Sequence, residues 1–314
     1  MQDKKCFKGL IPAVITPMKE SKEIDEDAFD DYLRWIVPQG VVGLAVNVDT
    51  GEGPTLTPEE RSTLLGIARK RLGRSKVLVA GLTAGSTETA KREARIAADA
   101  GADVMLVFPN TGFRGMPQDA EAIRGYHSEI AEAGDIDLML FQLQDALGGI
   151  ELGEDSLRSL ASLERVVAIK EATFDFSKFK RTMALFREIE SETGRGIAFL
   201  TGNDNFVLES FLWCCDGALI GAGAQDTRSL VRCFQACSEG DWEKAVGLAK
   251  GFQPLIDAVF APPVRDYRAR TKACLYLQGV IPNRVVRPPL VEVVESELEG
   301  LRRALTAAGL KVVN

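Results

Sequence analysis

Val166-Val167-Ala168-Ile169-Lys170-Glu171-Ala172-Thr173 is a short apolar run that stops at a lysine. β-Branched and small apolar residues over that length, bounded by charge, read as a strand buried on both faces. Similar runs recur about every 20–35 residues along the chain, at 10–15, 42–48, 77–80, 104–108, 138–142, 166–170, 197–201 and 218–222. Amphipathic stretches at 26–37, 58–72, 87–100, 119–133 and 176–192 alternate with them. Strands alternating with helices pair in parallel through right-handed crossovers, and eight is a number that closes into a barrel. The rival is an open doubly wound sheet, usually marked by a glycine-rich turn after its first strand. Here the first run passes into Thr16-Pro17-Met18 instead. The pattern predicts an α/β fold, a (β/α)8 TIM barrel.

Punctuation agrees with that frame. Thr57-Pro58-Glu59-Glu60 places a threonine at an N-cap, proline at the first helical position and glutamate three residues after the cap, so a helix starts there. Gly101 and Gly240 read as helix ends. Gly221 and Gly223 are explained by tight strand-to-helix turning. After residue 238 the alternation stops, and 241–260, 264–278 and 291–308 read as three helices separated by Pro262-Pro263 and Pro288-Pro289. The expected division is a catalytic barrel over 1–238 and a helical appendage over 239–314.

The chain has 314 residues, 46% hydrophobic and 26% charged, enough to bury a sizeable core. Its net charge of −7 and the lack of a basic cluster argue against nucleic acid. Residues 1–12 hold no apolar signal core, and no run reaches the roughly 20 apolar residues that span a bilayer. A cytoplasmic protein with no membrane partner is expected. The six cysteines form no CxxC pair and read as reduced core residues. The one histidine, His127, falls in a helical stretch and reads as a satisfied surface or helix residue. A single histidine rules out a His-rich zinc site and weighs against a Ser-His-Asp triad. Chemistry falls to lysine, carboxylates, hydroxyls, amides and backbone groups, with no metal and no cofactor expected.

Lys170 suits that chemistry. At the end of a buried strand its amine is desolvated, which disfavours the ammonium and makes the neutral nucleophile accessible near pH 7. Schiff-base catalysis on a carbonyl requires such an amine. The alternative is a lysine that points to solvent or pairs with Glu171.

Three strand-end motifs bear on the choice: Val48-Asp49-Thr50-Gly51-Glu52 after the second run, Ile169-Lys170-Glu171-Ala172-Thr173 at the sixth, and Thr201-Gly202-Asn203-Asp204 at the seventh. With Ile15-Thr16-Pro17, Thr271-Lys272-Ala273-Cys274 and Arg287-Pro288, they make essentially the whole chain resemble the dihydrodipicolinate synthase / N-acetylneuraminate lyase family. The resemblance implies a (β/α)8 barrel with a three-helix carboxyl-terminal appendage. It further implies an imine between Lys170 and a small 2-oxo acid, no cofactor, and a homo-oligomer, tetramer or dimer. It casts Thr50 and Gly51 as the grip on the substrate carboxylate, and backbone N–H groups with a hydroxyl do form such anion-binding concavities. Glu52 is expected in a structural role.

Departures from that pattern shape the functional reading. Asp49 stands where most members have a threonine that helps carry protons, and Phe141 stands where they have a proton-transferring tyrosine. The second tyrosine, after the fourth strand, is missing from Val107-Phe108-Pro109-Asn110-Thr111, and Ala146 lies near the place of the synthase's arginine. Polar groups on the carboxyl rim, including Asp49, Gln142, Gln144 and Asp145, are candidates to take over, since barrel active sites sit on that rim. Asp49 either shuttles protons, pairs with Lys170 or caps a turn. The expected site is Lys170 and Asp49 as catalytic residues, with Thr50, Gly51, Phe141, Gln142, Asn110 and Leu219 lining the substrate. The expected reaction is aldol cleavage or condensation, or dehydration, of a 2-oxo-3-deoxy acid. Dihydrodipicolinate synthesis proper and non-catalytic 2-oxo-acid binding are the alternatives.

Overall fold

The computed structural model describes residues 4–115 and 117–313. The parallel strands are β1 (Gly9–Pro12), β2 (Gly43–Val46), β3 (Val77–Leu82), β4 (Val104–Val107), β5 (Asp137–Leu143), β6 (Val166–Ala172), β7 (Ala198–Thr201) and β8 (Gly217–Ile220). They form one sheet in the order β1-β8-β7-β6-β5-β4-β3-β2. Its two edges meet: Val14 N–H donates to Ala45 O at 3.0 Å and Val42 N–H to Leu10 O at 3.0 Å. The ring is therefore closed as a barrel.

Strand alternation sorts the core into two layers. Ile11, Val79, Leu106, Met139, Ala168 and Leu200 fill the interior. Their neighbours Leu10, Leu78, Met105, Leu138, Ile169 and Phe199 face outward into the layer beneath the helices. Those helices are α1 (Glu26–Ile36), α2 (Pro58–Leu72), α3 (Thr87–Asp99), α4 (Ala120–Gly134), α5 (Glu154–Ala161), α6 (Phe176–Thr193), α7 (Val207–Leu212) and α8 (Thr227–Glu239). The capping box of α2 forms as read, Glu60 N–H donating to Thr57 Oγ1 and Thr57 N–H to Glu60 Oε2. The sequence pattern does not delimit α5 and α7, because eight and six residues hold too few turns to display a period.

Helices α9 (Trp242–Val259), α10 (Tyr267–Leu277) and α11 (Glu295–Ala307) follow and share an apolar cluster of their own around Leu255, Cys274, Leu277 and Leu301. Buried polar links fasten α10 to the barrel rim. Lys272 ion-pairs with Glu52, and both side chains are almost wholly buried. Lys272 also donates to Val285 O at 2.7 Å, while Glu52 accepts the Arg287 N–H at 2.8 Å. Gln278 Nε2 donates to Gln225 O at 3.1 Å. The motif fragments Lys272 and Arg287 are thus the two ends of a clamp on the β2 turn.

One sequence reading changes. Cys214 is exposed and Cys6 half-buried, so not every cysteine belongs to the core; Cys214 follows α7 at a left-handed turn that aims it outward. His127 is the satisfied helix histidine of the sequence reading, buried on α4 with Nδ1 2.7 Å from Ile123 O, and burial pushes its pKa down to about 4. Among the described residues no helix is long and apolar enough to cross a membrane.

Candidate active site

β6 places Lys170 opposite Phe141 of β5 and Leu200 of β7, all three inside the barrel. The Nζ atom stands 4.3 Å from the centroid of the Phe141 ring, which packs edge-on against Phe108 at 5.0 Å. The glycine of Thr201-Gly202-Asn203-Asp204 explains how the side chain fits. A Cβ on Gly202 would lie 2.5 Å from Lys170 Cε and 2.8 Å from Ala172 Cβ. Burial lowers the Lys170 pKa to about 8, against the pull of the Asp204 and Asp49 carboxylates. The neutral amine is thereby more accessible near pH 7 than in a solvated lysine. No hydrogen bond or ion pair holds its Nζ among the described residues.

Glu171 faces the other way, which disposes of the Lys170–Glu171 pair. Its carboxylate accepts Asn203 Nδ2 at 2.6 Å and the Thr173 N–H at 3.2 Å, joining the ends of β6 and β7. Burial raises its pKa to about 7. Asp204 is the carboxylate whose charge acts most strongly on the lysine. It is buried and accepts the N–H groups of Ala222 at 2.8 Å and Gly221 at 3.4 Å. Burial lifts its pKa to about 6, opposed by those amides and by Lys170.

The Asp49-Thr50-Gly51 turn makes the opposite wall. Gly51 is required there, because a Cβ would approach Val14 O to 2.7 Å. Its N–H donates to Val48 O at 3.1 Å and is thereby spent on the turn. Asp49 does not pair with Lys170. One of its oxygens accepts Arg268 at 2.5 Å and the other accepts the Tyr267 hydroxyl at 2.8 Å. The same hydroxyl is 3.3 Å from Thr50 Oγ1. The Tyr267 ring stacks on Phe260 at 5.0 Å. A Cβ on Gly221 would meet Phe260 at 3.1 Å, Tyr267 at 3.3 Å and Thr50 Oγ1 at 3.5 Å. Gly221 therefore makes room for this cluster rather than simply easing a turn.

The remaining expected residues scatter. Gln142, next to Phe141 on β5, faces outward and holds the loop before α5, Nε2 donating to Leu152 O at 2.9 Å and Oε1 accepting Leu152 N–H at 2.7 Å. Asn110 braces its own turn through Gly112 N–H at 2.8 Å and Ala84 O at 3.2 Å. Leu219 is fully buried in the barrel interior. Lys170, Asp49, Thr50 and Phe141 come together; the Gln142 and Asn110 side chains are bound elsewhere. Tyr267, Arg268 and the carboxylate of Asp204 were missed. Asp204 had a signal, as the last letter of a quoted motif. Tyr267 had none, because a search along strand ends does not reach the first residue of an appended helix.

Residues 6–308 match the dihydrodipicolinate synthetase family. The chain belongs to that family. A 4-hydroxy-tetrahydrodipicolinate synthase of Thermotoga petrophila is 29% identical over 306 residues, covering 97% of this chain and 99% of that protein. A crystal structure of the dihydrodipicolinate synthase of Thermotoga maritima superposes with a TM-score of 0.86 at 25% identity, covering 97% of this chain and 99% of the other. A catalytic-lysine mutant of the Ruminococcus gnavus sialic acid aldolase shares the fold, with a TM-score of 0.85, 19% identity and 98% of each chain covered.

As a member of the dihydrodipicolinate synthetase family, the protein is an enzyme, a Schiff-base lyase of the class I type. Its site is suited to that chemistry in general terms. It offers a desolvated amine, an apolar wall of two phenyl rings, and the charges of two carboxylates, buried Asp204 and half-buried Asp49, acting on the amine.

Proposed function

We propose that Lys170 condenses with a 2-oxo acid and that the enzyme cleaves or dehydrates a 2-oxo-3-deoxy acid through the resulting imine. The observation that carries this reading is the unpaired, desolvated Lys170 amine, lodged beside Phe141 and within the field of Asp204 and Asp49. Asp204, with a pKa near 6, takes the ammonium proton, and the neutral amine adds to the carbonyl carbon. The carbinolamine then expels its oxygen as water: that oxygen takes one proton from the nitrogen and recovers the other from Asp204, so that two protons of the original ammonium leave with it and Asp204 is again a carboxylate. The iminium nitrogen afterwards accepts the electron pair released when a bond next to the α-carbon breaks.

Phe141 has no proton to give. We assign that task to Tyr267, whose hydroxyl lies between Asp49 and Thr50. Burial, with the Asp49 charge, holds its pKa well above the usual tyrosine value, so the group stays protonated and neutral. Asp49 orients this hydroxyl, and Arg268 fixes Asp49. In this reading 1–238 is the catalytic barrel and 239–314 the appendage that completes its proton path. Thr50 contributes its hydroxyl to the substrate carboxylate, and Leu219 and Phe141 shape the apolar floor.

Ala146 is exposed in the loop after β5, beside exposed Asp145, so that loop supplies no cation for the carboxylate of an aldehyde substrate. This favours cleavage or dehydration over synthesis with a carboxylated aldehyde. We also propose a cytoplasmic homo-oligomer, tetramer or dimer, supported by the exposed Leu212 and Trp213 at the end of α7 and Trp242 and Val246 on α9. Incubation with pyruvate and borohydride should place the reduced adduct on Lys170. A panel of 2-oxo-3-deoxy sugar acids should then yield a new 2-oxo acid product. Adduct on another lysine overturns the imine assignment. Turnover only with pyruvate and aspartate semialdehyde would make the enzyme a synthase, and adduct without turnover of any substrate would make it a binder.

A further inference from the structure

A second polar cavity lies at the amino end of α8, sharing no lining residue with the Lys170 site and bordered by the end of α1, α8, α9, the end of α10 and the segment 308–311. Its volume is about 700 Å³. Four cations line it: Arg228, Arg232, Lys244 and Lys311. Among the described residues none of the four forms an ion pair, in a chain whose net charge is −7. So local a reversal of sign is what an anion site presents to its ligand.

Gln225 supplies an independent sign of a binding site. The residue lines the cavity, only 1% of its surface is exposed, and neither its Nε2 nor its Oε1 has a hydrogen-bond partner among the described residues. Leaving a buried amide unmade is costly, and native chains satisfy nearly all such groups. Of the neighbouring polar groups, Gln278 donates to the Gln225 carbonyl at 3.1 Å and the Thr227 hydroxyl to Gly223 O at 2.6 Å, whereas both carboxylate oxygens of Asp226 lack a hydrogen-bond partner among the described residues. Gly247 and Gly251, one turn apart on α9, line the same space, and a Cβ on either would touch nothing within 4 Å. Glycine in a helix interior is unfavourable by roughly 1 kcal/mol relative to alanine, yet here it leaves the cavity wall low.

We infer that this cavity is a binding site for a small organic anion, a carboxylate or a phosphate ester, gripped by Arg228, Arg232, Lys244 and Lys311 and hydrogen-bonded by the Gln225 amide. Asp226 lines the same cavity from the helix start, and burial raises its pKa towards the neutral carboxylic acid, which can donate to an anion rather than repel it. The site is independent of imine chemistry.

The test is isothermal titration of the full chain with succinate and, separately, inorganic phosphate, at constant ionic strength in chloride. Saturable binding of at least one probe is expected, and the preferred probe distinguishes carboxylate from phosphate. Arg228→Ala with Arg232→Ala should weaken it by roughly ten- to a hundredfold, as loss of charge-assisted hydrogen bonds does. Lys170→Ala should bind as tightly as the wild type, which separates this result from the fate of the catalytic reading. Gln225→Met should weaken binding while leaving the ligand-free melting temperature unchanged or higher, because it removes an unpaired buried amide. No saturable binding of either probe, or equal affinity in the double arginine variant, overturns the site. Full affinity in Gln225→Met with a lowered melting temperature overturns the role given to the amide.

Discussion

Two buried lysines, Lys170 and Lys272, show what separates a nucleophile from a strut. Burial depresses the pKa of both. Lys272 is held directly by the Glu52 carboxylate and by Val285 O, so its charge is neutralised where it stands. Lys170 meets a phenyl ring face, and the carboxylates it feels, Asp204 and Asp49, are bonded to other groups. A ring face attracts a cation only weakly compared with a bonded carboxylate. Desolvation alone does not make an amine reactive; desolvation without a bonded counter-charge does.

Exchanging the partners is the sharpest way to break this contrast. Lys170→Met should abolish the borohydride adduct altogether and leave urea unfolding nearly intact. Lys272→Met should keep the adduct at Lys170 and cost about 3–5 kcal/mol of stability, since it strands Glu52 in the core. Mass spectrometry and urea melts on both variants decide it. Comparable loss of stability in the two would mean that Lys170 is also a strut.

The next effect concerns the wall facing the lysine. Tyr267→Phe and Asp49→Asn should each slow imine formation by about 10²–10⁴-fold in single-turnover trapping, with substrate affinity largely kept through Thr50. Phe141→Tyr, made in Tyr267→Phe, should restore part of the rate if a hydroxyl on this wall is what matters. Rates within about threefold of wild type, far short of that range, would return Asp49, Tyr267 and Arg268 to a purely structural clamp.

The smallest expected effect is on pH. Free amine is the reactive form, so the trapping rate should rise about tenfold per unit below the Lys170 pKa of about 8 and level off above it. The Asp204 carboxylate favours the ammonium, so Asp204→Asn should move that plateau to lower pH. A plateau that stays in place or moves up would show that Asp204 does not set the charge of the lysine.

Much of this arrangement is written locally. A strand buried on both faces needs only a run of apolar letters, and the capping box of α2 needs only four residues, because each is decided by neighbours along the chain. That is why eight strands, the long helices, Lys170 and the Asp49-Thr50-Gly51 turn are readable in one dimension. Strand parity also put Phe141 inside, although the same parity sent Gln142 outward to Leu152, where a rim position alone had suggested the substrate.

By itself, then, the sequence determined the barrel, the lysine at the end of β6 and the absence of the usual tyrosine. The tertiary structure alone decided which partner each charge would have. Asp49 and Tyr267 are separated by 218 residues, Glu52 and Lys272 by 220. Contacts of that span are set by how α10 docks on the rim. Side-chain electrostatics falls off over a few ångströms, so it is fixed only once packing has brought those distant residues together.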